Sequence, residues 1–106
     1  MVFYQKDAKQ VNSLPGVTRK TLAQSIALML CEFTFEAHVT IPVHTHPHEQ
    51  VGYVVKGHVE MTIDGEKFEL FKGDSYVAPS NIPHGAYTLE PSMIIDTFSP
   101  PREDYR

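Results

Sequence analysis

No stretch of this chain longer than about ten residues returns its apolar side chains at the helical period of 3.6. What recurs is alternation, broken by turn signals every 8 to 12 residues or so, the pattern of an all-β domain. Within an extended segment Ile26–His38, Met29, Cys31, Phe33 and Phe35 fall on one face while Glu32, Thr34 and Glu36 take the other. Asp64-Gly65 lies between two alternating runs and predicts a tight hairpin, with Val59, Met61 and Ile63 inward and His58, Glu60 and Thr62 outward. Leu14-Pro15-Gly16 predicts a turn. Further strands are expected at Thr18–Ser25, Val51–Lys56, Glu66–Phe71, around Tyr76, at Ala86–Leu89 and at Met93–Phe98. Short antiparallel strands in this number close into a jelly-roll barrel or sandwich.

A chain of 106 residues that is 42% hydrophobic is the size of one ordinary domain. The expected division is a single domain over 1–106, with a barrel core over about 17–98 and a proline-flanked tail over 99–106. A net charge of −4 with six scattered histidines supplies no basic stripe for a phosphate backbone, so nucleic acid is not an expected partner. The longest apolar run, Ile26 to Cys31, falls well short of the roughly 20 residues that cross a bilayer, and no membrane contact is expected. The start MVFYQKDAKQ has neither a cationic nor an apolar signal region, and the cytoplasm is the expected setting. Cys31 is the single cysteine and reads as a small buried hydrophobe with no chemistry assigned.

The chemistry lies in His44-Thr-His-Pro-His-Glu-Gln50. If this segment is a strand, His44 and His46 share a face at a spacing that lets two imidazoles reach one ion, and Gln50 can return to the same centre after the Pro47-His48 turn. A third imidazole is expected from His84, just after the rigid Pro83. Three imidazoles and an amide oxygen suit one divalent transition metal, zinc, nickel, iron, manganese or cobalt, better than calcium or magnesium. Gln50 is neutral, so the ion keeps more positive charge than with a carboxylate ligand, which favours polarising an oxygen over redox work. His48 and His58 do not share the face and spacing of the others, although His48 could orient a ligand from behind.

These residues resemble the two motifs of the cupin superfamily. The first reads His44-x-His46, then Gln50, then Gly57; the second reads Gly73, Pro79, Asn81 and His84. The resemblance implies an all-β, double-stranded β-helix and a metal on His44, His46, Gln50 and His84. Gln50 stands where many cupins carry glutamate, and Asn81 where many carry glycine. Sliding the register to use Glu49 would lengthen the gap to Gly57 and turn that side chain away.

The turn His-Pro-His-Glu-Gln and the tail Ile95-Asp-Thr-Phe-Ser-Pro-Pro-Arg-Glu-Asp-Tyr105 are similar to the small cupins of pectin degradation. That resemblance implies metal-dependent ring opening of 4,5-unsaturated uronate monomers to linear 4-deoxy-5-keto uronates. It makes Asp96 the acid/base residue, Phe98 part of the sugar site and Arg102 the anchor of the substrate carboxylate, with Arg19 and Lys20 weaker candidates for that anchor. A strand places Asp96 and Phe98 together on one face, and an Asp in the run Met93-Ile-Ile-Asp96 is costly unless paired or functional. A strand-end Asp96 bonded to a turn and a surface pair between Arg102 and Glu103 or Asp104 are the plain alternatives. Two other functions stay open: a metal-dependent oxygenase, and a non-catalytic sugar- or metal-binding module. The expected partners are a small sugar acid and a second copy of the chain, a homodimer covering an apolar outer face at Val51, Tyr53 and Val55.

Overall fold

The alternating segments form strands in the computed structural model, which describes residues Met1–Arg106. In chain order they are β1 (Gln10–Leu14), β2 (Val17–Gln24), β3 (Met29–Phe35), β4 (Thr40–His44), β5 (Glu49–Lys56), β6 (His58–Ile63), β7 (Glu66–Phe71), β8 (Ser75–Ala78), β9 (His84–Thr88) and β10 (Ser92–Ser99). Two short 3-10 turns, Gln5–Asp7 and Glu103–Tyr105, flank them. The strands pair antiparallel in a six-stranded sheet of order β1-β2-β3-β10-β5-β8 and a four-stranded sheet of order β4-β9-β6-β7. This is the expected all-β jelly roll. No helix is long and apolar enough to cross a membrane.

Each sheet turns one face inward, and the core fills between them. Along β3 the burial alternates without a break, with Met29, Cys31, Phe33 and Phe35 inside. β10 matches it with Ser92, Ile94, Asp96 and Phe98. Across the gap, Val59 and Met61 of β6 complete the apolar cluster. Burial pushes the Cys31 thiol above its ordinary pKa, and Thr21 lies beside it, in keeping with a packing role.

Three local expectations change. The segment expected to run from Ile26 forms a strand only from Met29, because Ser25 and Leu28 close a turn through Ser25 N–H to Leu28 O at 2.8 Å, which leaves Ile26 outside. At its other end, His38 takes the left-handed φ of 62° and stops the extended run after Phe35. β1 was not expected at all: it is an edge strand with an almost wholly exposed side-chain pattern, so no apolar alternation marks it. The outer face of β5 does expose Val51 and Tyr53, and Val77 of β8 stands beside Val51 in register, while Val55 is half-buried.

Turn chemistry accounts for the connections. Asp64 and Gly65 both take positive φ, 51° and 79°, which makes the two-residue hairpin between β6 and β7. Gly57 also has positive φ, and a Cβ there would strike the Ser92 side chain and backbone, so β5 can pass into β6 only through a glycine. Asn81 adopts a φ of 61°, a conformation that asparagine tolerates better than other side chains. That is the physical reason it can stand where glycine is common.

Candidate metal centre

Three histidines converge at one end of the barrel. His44 ends β4, His84 begins β9, and the two are direct partners across the antiparallel pair. Their ring centroids are 4.4 Å apart, and His46 lies 4.7 Å from His84. His44 is exposed, whereas His46 and His84 are buried. The expected strand geometry for the pair is corrected here, because β4 stops at His44 and His46 lies in the connection to β5. Its position comes from hydrogen bonds instead: Asn81 N–H donates to the His46 carbonyl at 2.9 Å, and Ser80 Oγ donates to the neighbouring Pro47 carbonyl at 2.6 Å.

The tautomers are set by the backbone. His44 Nδ1 donates to Pro42 O at 2.8 Å, His46 Nδ1 to His48 O at 3.0 Å, and His84 Nδ1 to Ile82 O at 2.9 Å. A carbonyl can only accept, so each Nδ1 carries the proton and each Nε2 presents a lone pair. His84 Nε2 is buried with no hydrogen-bond partner in the protein. The candidate ligand atoms of His44, His46 and His84 lie within 4.8 Å of one another. Burial, helped by the positive charge of Arg102, lowers the pKa of both His46 and His84, which keeps their rings neutral.

Gln50 meets this group from β5. Its Oε1 is 3.0 Å from His46 Nε2, so two lone pairs face each other across a gap that favours a cation between them. Two atoms each about 2.1 Å from a single ion stand about 3.0 to 3.4 Å apart for right-angled to tetrahedral arrangements, so the spacing fits a shared metal. The amide is turned this way because Gln50 Nε2 donates to Tyr76 Oη at 2.9 Å, and Tyr76 Oη donates in turn to Asp96 Oδ1 at 2.5 Å. The residues therefore fit a divalent transition ion, with three imidazole nitrogens and one amide oxygen as donors.

Register explains the chain from Gln50 to Asp96. Tyr76, Gly52 and Asp96 are partners across β8, β5 and β10, and their side-chain positions share the inner face. Gly52 contributes no side chain, and a Cβ there would collide with the Tyr76 ring and Asp96 Oδ1. The glycine thus opens the space in which the hydroxyl and the carboxylate meet. Burial pushes Asp96 up to about 6, partly offset by the hydrogen bonds of Tyr76 and Gln50. Tyr76 is pushed well above its ordinary value by burial and by the Asp96 charge.

A cavity of about 490 Å³ opens beside these groups, and its lining includes His44, Gln50, Tyr76, His84, Asp96, Phe98, Arg102, Arg19, Asp104 and Tyr105. Phe98 is nearly inaccessible and packs edge-on to His46 and Tyr105, so it backs the wall of the cavity. Arg102 lies over the Tyr105 ring and also forms the pair with Asp104. Of the histidines set aside, His58 stacks on Phe71 and pairs with Glu69 away from the centre, while His48 serves it through its carbonyl. Glu49 is exposed and directed away. Sequence reasoning missed Tyr76, Gly52 and Tyr105. Alternation places Tyr76 on an inward face, but nothing linear reveals that β8 lies beside β5.

The fold, the paired motifs and the histidine cluster define a cupin: residues 31–98 match the Cupin domain family, and the chain belongs to it. Within that family it is similar to the pectin degradation protein KdgF of Dickeya dadantii (strain 3937), with 41% identity over 92 residues that cover 85% of this chain and 84% of that protein. Among solved structures, KdgF from Halomonas sp. superposes with a TM-score of 0.94 at 39% identity, covering 100% of this chain and 98% of that one. An RmlC-like cupin from Shewanella frigidimarina NCIMB 400 gives the same TM-score at 33% identity, over 99% and 95% of the two chains.

Proposed function

We propose that this cupin is a metal-dependent enzyme that opens the ring of 4,5-unsaturated uronate monomers to linear 4-deoxy-5-keto uronates. The observation that carries the reading is a buried carboxyl, Asp96, held by Tyr76 on the wall of the cavity that the histidines also line. The similarity to the pectin degradation protein KdgF of Dickeya dadantii supports the same substrate class.

His44, His46 and His84 through Nε2 and Gln50 through Oε1 would hold the ion, one of zinc, nickel, iron, manganese or cobalt. Bound there, the metal supplies a Lewis acid that polarises a sugar oxygen. Asp96 moves the proton. With its pKa near 6, the carboxylate takes the proton of the anomeric hydroxyl as the bond between C1 and the ring oxygen breaks, and returns it to C4 as the enol becomes a ketone. The proton that leaves oxygen ends on carbon, so no redox partner is needed. Arg102 grips the carboxylate, and Phe98 fixes the wall behind the sugar. We also propose the homodimer expected on the face of Val51, Tyr53 and Val55, where Val51 and Tyr53 are exposed and Val77 of β8 adjoins them.

The test follows the vinylic proton of a lyase-generated unsaturated galacturonate by NMR, with and without a chelator. Rapid, chelator-sensitive loss of that signal is expected. A rate equal to buffer would discard the reading.

A further inference from the structure

Arg102 is the residue to which the proposed reading assigns the substrate carboxylate, yet its guanidinium is already engaged. Nε and Nη2 donate to the two oxygens of Asp104 at 3.3 and 3.0 Å. The Asp104 side chain is 60% exposed against 15% for Arg102, so the pair lies with its anion toward solvent and its cation toward the cavity. Burial raises the Asp104 pKa, but the hydrogen bonds and charge of Arg102 outweigh it and hold the carboxyl below its usual range.

A second guanidinium shares the ring on which Arg102 rests. Arg19 Cζ is 4.0 Å from the Tyr105 centroid and Arg102 Cζ is 4.1 Å from it. The two cations therefore lie against one ring, no farther apart than the sum of those two distances. Arg19 takes part in no salt bridge although it lines the same cavity. Its position follows from β2, where Val17 is buried and Arg19, two residues on, takes the same face opposite Phe33. Tyr105 is held in place between strand and tail by Thr21 Oγ1, which donates to its carbonyl at 2.7 Å. Of the two guanidiniums only Arg102 has a salt-bridge partner, so Arg19 meets the cavity with its charge unpaired, which favours an entering anion beside it.

We propose that Arg19 and Arg102 form a two-arginine carboxylate clamp and that Asp104 is its resident counter-ion, displaced when a sugar acid enters. The inference rests on the uronate reading above and deepens it. A neutral sugar brings nothing to replace Asp104, so the device selects acids over neutral sugars of the same shape.

The test uses the full-length, metal-loaded protein and the variants Arg19→Gln, Arg19→Lys and Asp104→Asn. Kinetics on the unsaturated galacturonate are paired with calorimetric binding of saturated galacturonate and of galactose. Arg19→Gln is expected to raise KM and weaken galacturonate binding by about tenfold or more, with the loss falling on KM rather than kcat, and Arg19→Lys to recover part of it. Asp104→Asn is expected to tighten galacturonate several-fold and leave galactose unchanged. Unaltered KM and galacturonate affinity in Arg19→Gln would overturn the clamp, and weaker or equal affinity in Asp104→Asn would overturn the counter-ion. A wild-type protein that binds galacturonate through Arg19 but opens no ring keeps the clamp and discards ring opening. Ring opening with a KM indifferent to Arg19 does the reverse, and a wild type that neither binds galacturonate nor opens the ring overturns both.

Discussion

The hydroxyl of Tyr76 donates to Asp96 Oδ1 at 2.5 Å, and because it has one proton to give, it can only accept from Gln50 Nε2. One buried oxygen thereby sets two things at once. It fixes the carboxyl that lines the cavity, and it turns the Gln50 amide so that Oε1 faces His46. A phenol does this where a serine would be too short to span from β8 across Gly52 to β10.

Tyr76→Phe removes a donor from Asp96 and an acceptor from Gln50 inside the barrel. The expected cost is about 1–3 kcal/mol in denaturant unfolding, since both orphaned groups stay buried. Metal titration of the same variant should show weakened affinity, because the amide is then free to rotate. A variant with wild-type stability and metal affinity would show that the hydroxyl orients neither group.

Asp96→Asn keeps the shape of the side chain but cannot exchange the proton. Metal content should remain at the wild-type level while kcat for ring opening falls by about a hundredfold or more, the usual share of a general acid/base. Turnover close to that of the wild type would remove Asp96 from proton transfer.

Gly52→Ala tests the space between the partners. Its Cβ would press on both the Tyr76 ring and Asp96 Oδ1, so a loss of about 1–3 kcal/mol is expected, together with reduced activity. Thermal unfolding measured beside turnover would check this. Since Gly52 does not have a positive φ, steric crowding alone would be the cause.

His84→Ala and His58→Ala separate the clustered histidine from one outside the cluster. Elemental analysis after dialysis should show His84→Ala depleted of metal, because a buried Nε2 with no other partner is removed. His58→Ala should hold as much as the wild type, its ring being occupied with Phe71 and Glu69. Equal metal in the two variants would dissociate the ion from the cluster.

Much of this fold was readable where one face is buried and the other wet. β3 and β6 obey alternation, and Asp64-Gly65 closes the hairpin from β6 to β7 as its residue types demand. The histidines were readable as a set, but the reason they converge was not. Strand periodicity would have aimed His46, whereas bonds from the 80–81 segment actually do so. Tyr76 stayed hidden for a related reason: its partners Gln50 and Asp96 lie 26 and 20 residues away, a closeness created only by strand order. The tail showed a resemblance to sugar-acid cupins, but its docking of Tyr105 against two arginines depends on tertiary contacts that no local pattern records.

His44 and His84 belong to the four-stranded sheet, whereas Gln50 belongs to the six-stranded one. An ion gripped by all of them is a rivet through both layers at one end of the barrel. The end that catalysis uses would then also be the end where the empty protein first comes apart. Amide hydrogens of β4 and of the 84–86 segment should exchange with solvent sooner after chelation than those of β3 and β10, which are held to each other by unbroken pairing. For a cell, loading would be read as persistence: the metal-free chain would be the form that proteases reach first.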